Sequence, residues 1–352
     1  MKGNGRGWAL VGGLLLAHVF GGDPAGAATY VVRLGDAPFI TGGGMWVAYE
    51  RGYFEKVGVK VDLKKFNDGA FIVAPLLAGE LDMGSMTPNA GYFNSIARGA
   101  QLVIILDRGR ERPGRAYVPT VVSKEMADKG LKGLADVHML KGKKVGVGAS
   151  GSINQYLLAK AVQKAGLDPR KDVEWTVGVP QPDLVKMVCQ KQLDAANIAY
   201  NLAALVVRNG CGIMIPGFET VDPDAQIVTY SVRKDFLQNN REALVRWTMA
   251  YLHAVKDFNA AAAAPEKYPD VVNALAKHTF TNTPEIVKGI APHWSWVAED
   301  GLPNVDNIVA QQDYWFDVLK LVERKVPREQ LFDLSVAKEA KERLDMEKPF
   351  GR

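Results

Sequence analysis

Between Tyr30 and Leu63 the chain changes its hydrophobic period twice. Tyr30 to Leu34 is a short run of β-favouring residues, and Asp36 to Gly44 is a loop with Pro38 and three consecutive glycines. Met45, Ala48 and Tyr49 then recur at helical spacing, and Gly52 ends that helix. Val57, Val59, Val61 and Leu63 alternate with Lys56, Lys60 and Asp62, the pattern of a strand with one buried face. The pattern predicts a β-loop-α-β unit with parallel strands. Its loop lies at the carboxyl end of the first strand, the edge at which open α/β sheets bind ligands.

The same alternation continues. A helix is expected over Ala70–Leu77, a short strand at Leu81–Gly84, and a helix over Asn89–Arg98 with Thr87 as its cap and Pro88 in its first turn. A buried strand at Gln101–Leu106 leads into the charged loop Asp107–Arg115, which marks the way out of the first unit. Val118–Val122 opens a second unit. Lys143–Val147, the loop Gly148–Ser152 and the helix Ile153–Ala165 repeat the first in outline, with Gly166 as a stop. Gln192–Asn197 echoes Glu80–Gly84, each a helix end turning into a short strand. Ala225–Val232 is read as a strand of the second unit, and nearly everything after Asn239 has helical periodicity. The expected fold class is α/β in two lobes, each a mostly parallel sheet flanked by helices, with a helical C-terminal tail. Residues 28–115 form the first lobe, 116–235 the second, and 236–352 return to the first.

The N-terminus changes the picture of where such a protein works. Lys2 and Arg6, the apolar run Trp8–Phe20 and Ala25-Gly26-Ala27 read as a cleavable signal peptide over residues 1–27. Its removal deletes two cations and one acid, lowering the formal charge of +4 by one; this mildly basic balance suits an anionic ligand. Export favours a disulfide between Cys189 and Cys211, while spacing alone leaves the bridge open.

Ala48, Glu50, Gly52, Tyr53, Phe54, Gly58, Val61 and Leu63 form x-Ala-x-Glu-x-Gly-Tyr-Phe-x-x-x-Gly-x-x-Val-x-Leu. This resembles the start of periplasmic substrate-binding proteins of ABC importers, in the nitrate/sulfonate/taurine group. The resemblance implies the two-lobed type II periplasmic-binding-protein fold. It also implies a monomer in the periplasm that closes on a small anion and delivers it to a membrane permease, with no cofactor, no metal and no catalysis. Three loops before helices would line the cleft, and helix N-termini favour anions. The implied ligand residues are Phe39, Thr41 and Gly42, then Ser85 and Thr87, then Ser150, Gly151 and Ser152; plain helix capping is the competing explanation for each. Where many relatives carry Trp-Glu-Pro, this chain has Ala199-Tyr200-Asn201. The lost acid argues against a ligand amine, and Tyr200 and Asn201 would stack on and hydrogen-bond to the ligand instead. An organic anion, a sulfonate or a carboxylate with aromatic ones among the candidates, is the expected ligand.

Other readings are weaker. The arginines of Arg108–Arg115 fit a solvated hinge better than an anion clamp, although guanidinium binds carboxylates and sulfonates bidentately. Trp294 and Trp296 fit helix packing better than a ligand platform. Gly146-Val147-Gly148-Ala149-Ser150-Gly151 matches a dinucleotide fingerprint, but Gly146 falls inside the strand and no acid follows the next one. Same-fold enzymes acting on sulfinates or pyrimidines need a first-lobe cysteine or a cysteine-histidine cluster, which the chain lacks. A receptor-docking sensor stays open. No basic patch interleaved with aromatics points to nucleic acid.

Overall fold

The computed structural model describes residues 30–351 apart from positions 113 and 115. The expected signal peptide therefore lies outside the described residues, as do two positions of the arginine-rich segment. Ten strands are described: β1 (Tyr30–Asp36), β2 (Val59–Lys65), β3 (Met83–Met86), β4 (Leu102–Arg110), β5 (Thr120–Ser123), β6 (Lys143–Gly146), β7 (Val173–Thr176), β8 (Ala195–Asn197), β9 (Gly212–Met214) and β10 (Gln226–Arg233).

They form two five-stranded sheets, in the orders β2-β1-β3-β10-β4 and β7-β6-β8-β5-β9. The two are topologically equivalent. In each, three strands run parallel, a fourth inserts antiparallel, and the fifth pairs antiparallel with that fourth. The sheets are thus mixed, each with one reversed strand. The reversed strands are exchanged along the chain, since β5 follows the first four strands of one lobe and β10 follows the last strands of the other. This corrects one expectation. Ala225–Val232 was assigned to the second lobe, yet β10 pairs Thr229 with Met86 and Val232 with Val103, both in the first sheet. A buried strand pattern states that a strand is covered, not which sheet covers it.

Within the first unit, β2 buries Val59 and Val61 and exposes Lys60 and Asp62, as the alternation requires. The helix Gly43–Glu50 lies on the long helix Arg241–Ala263. Two of the three consecutive glycines belong to this packing: a Cβ on Gly43 would lie 2.1 Å from the Phe258 ring and one on Gly44 2.6 Å from Val255. Trp247, Tyr251, Tyr230 and Phe54 fill the layer between helix and sheet, with ring centroids 5.0–5.4 Å apart. The outer edge of β4 is covered by the C-terminal helices Arg328–Leu331 and Ser335–Glu347, which leaves its residues from Leu102 to Gly109 buried.

Two boundaries move in ways that matter for the site. The helix expected from Pro88 starts at Ala90, with Asn89 as its cap, accepting from the Tyr92 N–H at 2.8 Å. β4 continues to Arg110, so Arg108 is a strand residue and not part of a surface loop. Cys189 and Cys211 are joined, with Cα atoms 4.8 Å apart, tying the end of the helix Gln181–Cys189 to the turn before β9.

The interlobe cleft as candidate functional site

The carboxyl ends of β1, β3 and β4 in one lobe and of β6 and β8 in the other face each other. The lobes are closed. The Ala90 N–H donates to the Gly151 carbonyl at 3.2 Å across the gap, and Tyr200 of the second lobe stacks on His293 of the C-terminal region at 3.9 Å, with planes 9° apart. Between them lies a cavity lined by residues of both lobes.

The polar foundation of the cavity is a buried network at the end of β1. Asp36 and Arg108 are 0% and 1% exposed and form an ion pair. Asp36 also accepts from Ser85 Oγ at 2.6 Å, from the Ala37 N–H at 2.6 Å and from the Tyr230 hydroxyl at 3.2 Å. Arg108 donates to Thr41 Oγ1 at 2.6 Å and to the Ala37 carbonyl at 3.1 Å, while its Nε–H has no partner. Burial is the largest influence and lowers the arginine's pKa, but Asp36, Tyr230 and Tyr251 together outweigh it, and the net shift is upward. Its charge is fixed and already half-answered by Asp36. Burying a charge is tolerable only with such a partner.

The second lobe supplies a neutral wall. Ser152 caps the helix Ile153–Lys164 by accepting from the Gln155 N–H, and Gln155 Oε1 accepts from the Gly151 N–H at 2.6 Å. Asn154 is held by Asn197, to whose side-chain and main-chain oxygens it donates. Tyr117 and Val118, on the first crossover, close one side. The buried Tyr117 hydroxyl has no hydrogen-bond partner, and burial raises its pKa against the pull of Arg108 and the Thr41 and Ile40 N–H groups.

Of the residues expected at the site, Phe39, Thr41, Ser85, Thr87 and Ser152 line the cavity together. Five do not. Gly42 lies under Arg108, where a Cβ would be 2.5 Å from Nη2. Ser150 is exposed at the tip of the turn closed by the Ser152 N–H on the Ala149 carbonyl. Gly151, with φ +66°, turns its carbonyl to Ala90 and touches the other lobe instead of the cavity. Tyr200 begins the helix Tyr200–Arg208 and faces His293, so the adjacent Ala199 takes the cavity position. Asn201 is buried behind it with its Oδ1 unpartnered. Trp294 is fully buried against Phe258, a packing role, and Trp296 sits between Arg110 and Arg112 outside the cavity. Gly146 lies within β6, where a Cβ would strike Leu193 at 2.6 Å, so the dinucleotide spacing arises from strand packing.

Asp36, Asp68, Asn89, Arg108, Asn154 and Gln181 are the polar residues that sequence reasoning missed. Asp36 and Arg108 were assigned to loops, although each ends a hydrophobic strand run. Asp68 followed the β2 alternation by only a few residues and carried no motif.

Residues 26–275 match the sequence profile of the NMT1-like family. The chain belongs to that family. A binding protein of Brucella abortus (strain 2308) is 29% identical over 233 residues, 66% of this chain and 66% of that protein, so the chain spans slightly under two thirds of that relative's length. Solved structures share the architecture. The periplasmic nitrate-binding protein of Synechocystis PCC 6803 superposes with a TM-score of 0.77 at 14% identity, covering 91% of each chain. The alkanesulfonate-binding protein of Xanthomonas axonopodis pv. citri, bound to MOPS, gives 0.68 at 18% identity, over 89% of this chain and 99% of that one. The ligand-binding component of an ABC-type import system from Staphylococcus aureus gives 0.71 at 15% identity, with the same coverage. The fold is the two-lobed periplasmic-binding-protein fold, with a helical C-terminal region.

Proposed function

We propose that the protein is the solute-binding component of an ABC importer, exported to the periplasm, where it closes on a small organic acid and hands it to a membrane permease. The observation that carries this reading is the closed interlobe cavity, walled by both lobes and built on a buried arginine. The similarity to ligand-binding components of import systems supports it.

The chemistry of the walls favours a sulfonate or carboxylate with an apolar or aromatic body. The Thr87 hydroxyl and the N-terminal turn of the helix Ile153–Lys164 are donors for an acid group, beside the positive charge of the buried Arg108 guanidinium. Phe39, Tyr117, Ile227 and Val228 offer apolar surface beside them. Closure is then the transport signal, because a ligand that contacts both lobes favours the closed state and a permease can read that shape. Both cysteines are tied in the disulfide, so no thiol is available for the nucleophilic chemistry of a same-fold enzyme.

A thermal-shift screen of the chain from Ala28 onward tests the proposal, with alkanesulfonates, benzoate, phthalates, nitrate, bicarbonate and an aminopyrimidine. A ligand at a hundred times its Kd stabilises by about 2.7 kcal/mol, which raises Tm by roughly 5–11 °C at the sensitivity of large domains. Stabilisation by organic acids, weakened in Ser152→Ala and Thr87→Val, is the expected result. Stabilisation by nitrate or bicarbonate alone would overturn the organic-acid assignment.

A further inference from the structure

The cavity holds a second acid that no lining cation answers. Asp68 reaches it from the start of the segment Gly69–Leu77, and its Oδ1 accepts from the Ala70 N–H at 3.0 Å. The other oxygen points across the gap. It lies 3.3 Å from where a Cβ of Gly148 would stand and beside the Gln181 amide, whose Oε1 is occupied by the Ala199 N–H at 2.9 Å. The second lobe gives the cavity only neutral residues, among them Ser152, Asn154 and Gln181. In the first lobe the lining cation is Arg108, and Asp36 already holds it. Removal of water by both lobes pushes the Asp68 carboxyl upward, with only the Ala70 N–H and the Gln181 amide pulling it back. A half-buried carboxyl that faces the cavity without a cation either holds a proton or meets a positive charge brought by something else.

We infer that the ligand supplies it: the molecule bound here carries an ammonium or amidinium nitrogen that meets Asp68, in addition to the acid group received near Arg108. This rests on the organic-acid reading above and narrows it to amino- or amidino-substituted acids. Asp68 would then be the residue that sets specificity. It also replaces the argument drawn from Tyr200, since an acid missing at that position says nothing about an amine when another carboxylate lines the same cleft.

The test uses matched pairs that differ only in the nitrogen: taurine and ethanesulfonate, β-alanine and propionate, 4-amidinobenzoate and benzoate, with benzylamine and benzamidine as cations lacking the acid. Thermal shift ranks them and calorimetry gives Kd for the best pair, with the native chain and with Asp68→Asn, which keeps the side-chain shape and the bond from Ala70. The nitrogen-bearing member is expected to bind at least about thirtyfold more tightly than its partner, and Asp68→Asn to erase that preference, the effect of removing one partner of an enclosed charge pair. Equal or tighter binding of the plain acids, unchanged in Asp68→Asn, overturns this inference and leaves the organic-acid reading standing. Binding of benzylamine or benzamidine without any acid, lost in Asp68→Asn, keeps the inference and overturns the organic-acid reading. Silence across all compounds, with the variant's own Tm unchanged, overturns both.

Discussion

Arg108 and Glu111 stand three residues apart, and each answers for a different property of the molecule. Arg108 holds Asp36 in a fully enclosed pair, so Arg108→Ala leaves a buried carboxylate without its cation. Breaking such a pair costs about 3–5 kcal/mol, and urea unfolding should find a loss of that size; a loss under about 1 kcal/mol would mean that water reaches Asp36. Glu111 lies at the first crossover and accepts from the Tyr117 and Val118 N–H groups at 2.9 and 2.7 Å, while its own N–H donates to the Ala225 carbonyl of the second crossover at 2.9 Å. Burial raises its carboxyl from the ordinary 4.5 to about 7, and the Glu219 charge adds to the rise. A raised carboxyl means that the folded chain keeps a proton the unfolded chain has lost. Stability therefore falls as pH climbs from 4.5 to 7, by about 3 kcal/mol in all. Glu111→Gln loses an acceptor at every pH but has no proton to lose. The stability difference, variant minus native, should move in the variant's favour by about that amount between pH 4.5 and pH 8, and a flat difference would remove Glu111 as the source. Neither role was readable in the sequence. Asp107–Arg115 is as charged as any surface loop, and only the cover of the C-terminal helices over β4 makes its first residues interior.

Elements were more legible than their ends. The strand-loop-helix-strand rhythm of residues 30–63 and its counterpart from Lys143 follow from side-chain period and glycine stops, which are local physics. The three glycines at 42–44 show where local reasoning ends: glycine serves a flexible turn and a close helix contact equally well, and here the contact with Phe258 and Val255 decides. Helix starts show the same limit. Thr87 and Asn89 are both good caps, and the one used, Asn89, is the one whose helix can present the Ala90 N–H to Gly151. The disulfide was left open by spacing and is fixed by the fold, which brings a helix end against the turn before β9. It closes a loop with a sequence separation of 22, for which the chain-entropy account gives about 3 kcal/mol. Replacing both cysteines by serine should lower the unfolding free energy by that order, and reduction of the native chain should match it. A variant as stable as the native chain would show that the unfolded state is already compact around this segment.

At the scale of the whole molecule, the exchange of β5 and β10 between equivalent sheets means that, among the described residues, the chain passes between the lobes twice. The proposed closure then has to bend the chain near Glu111, whose N–H bonds the Ala225 carbonyl of the second crossing, while each sheet stays intact. Sequence periodicity could suggest two lobes but not this exchange, because pairing between β10 and β3 is a contact across more than a hundred residues. The same geometry explains why half of the expected ligand residues sit beside the cavity: the resemblance named loops, and closure decides which side of each loop faces in. Gly151 is the sharpest case. It has φ +66°, and a Cβ there would stand 2.3 Å from that of Ala90 in the opposite lobe. Gly151→Val adds strain to one turn at the surface of a folded lobe but obstructs the interlobe contact directly. The lobes should stay folded, with an unchanged circular-dichroism spectrum, while small-angle scattering reports a larger radius of gyration. If the closed state becomes a hundredfold rarer, apparent affinity falls a hundredfold for any ligand that needs it, about 2.7 kcal/mol. Full affinity and an unchanged radius in this variant would mean that closure does not bring Gly151 onto Ala90, and that the ligand is held by one lobe alone.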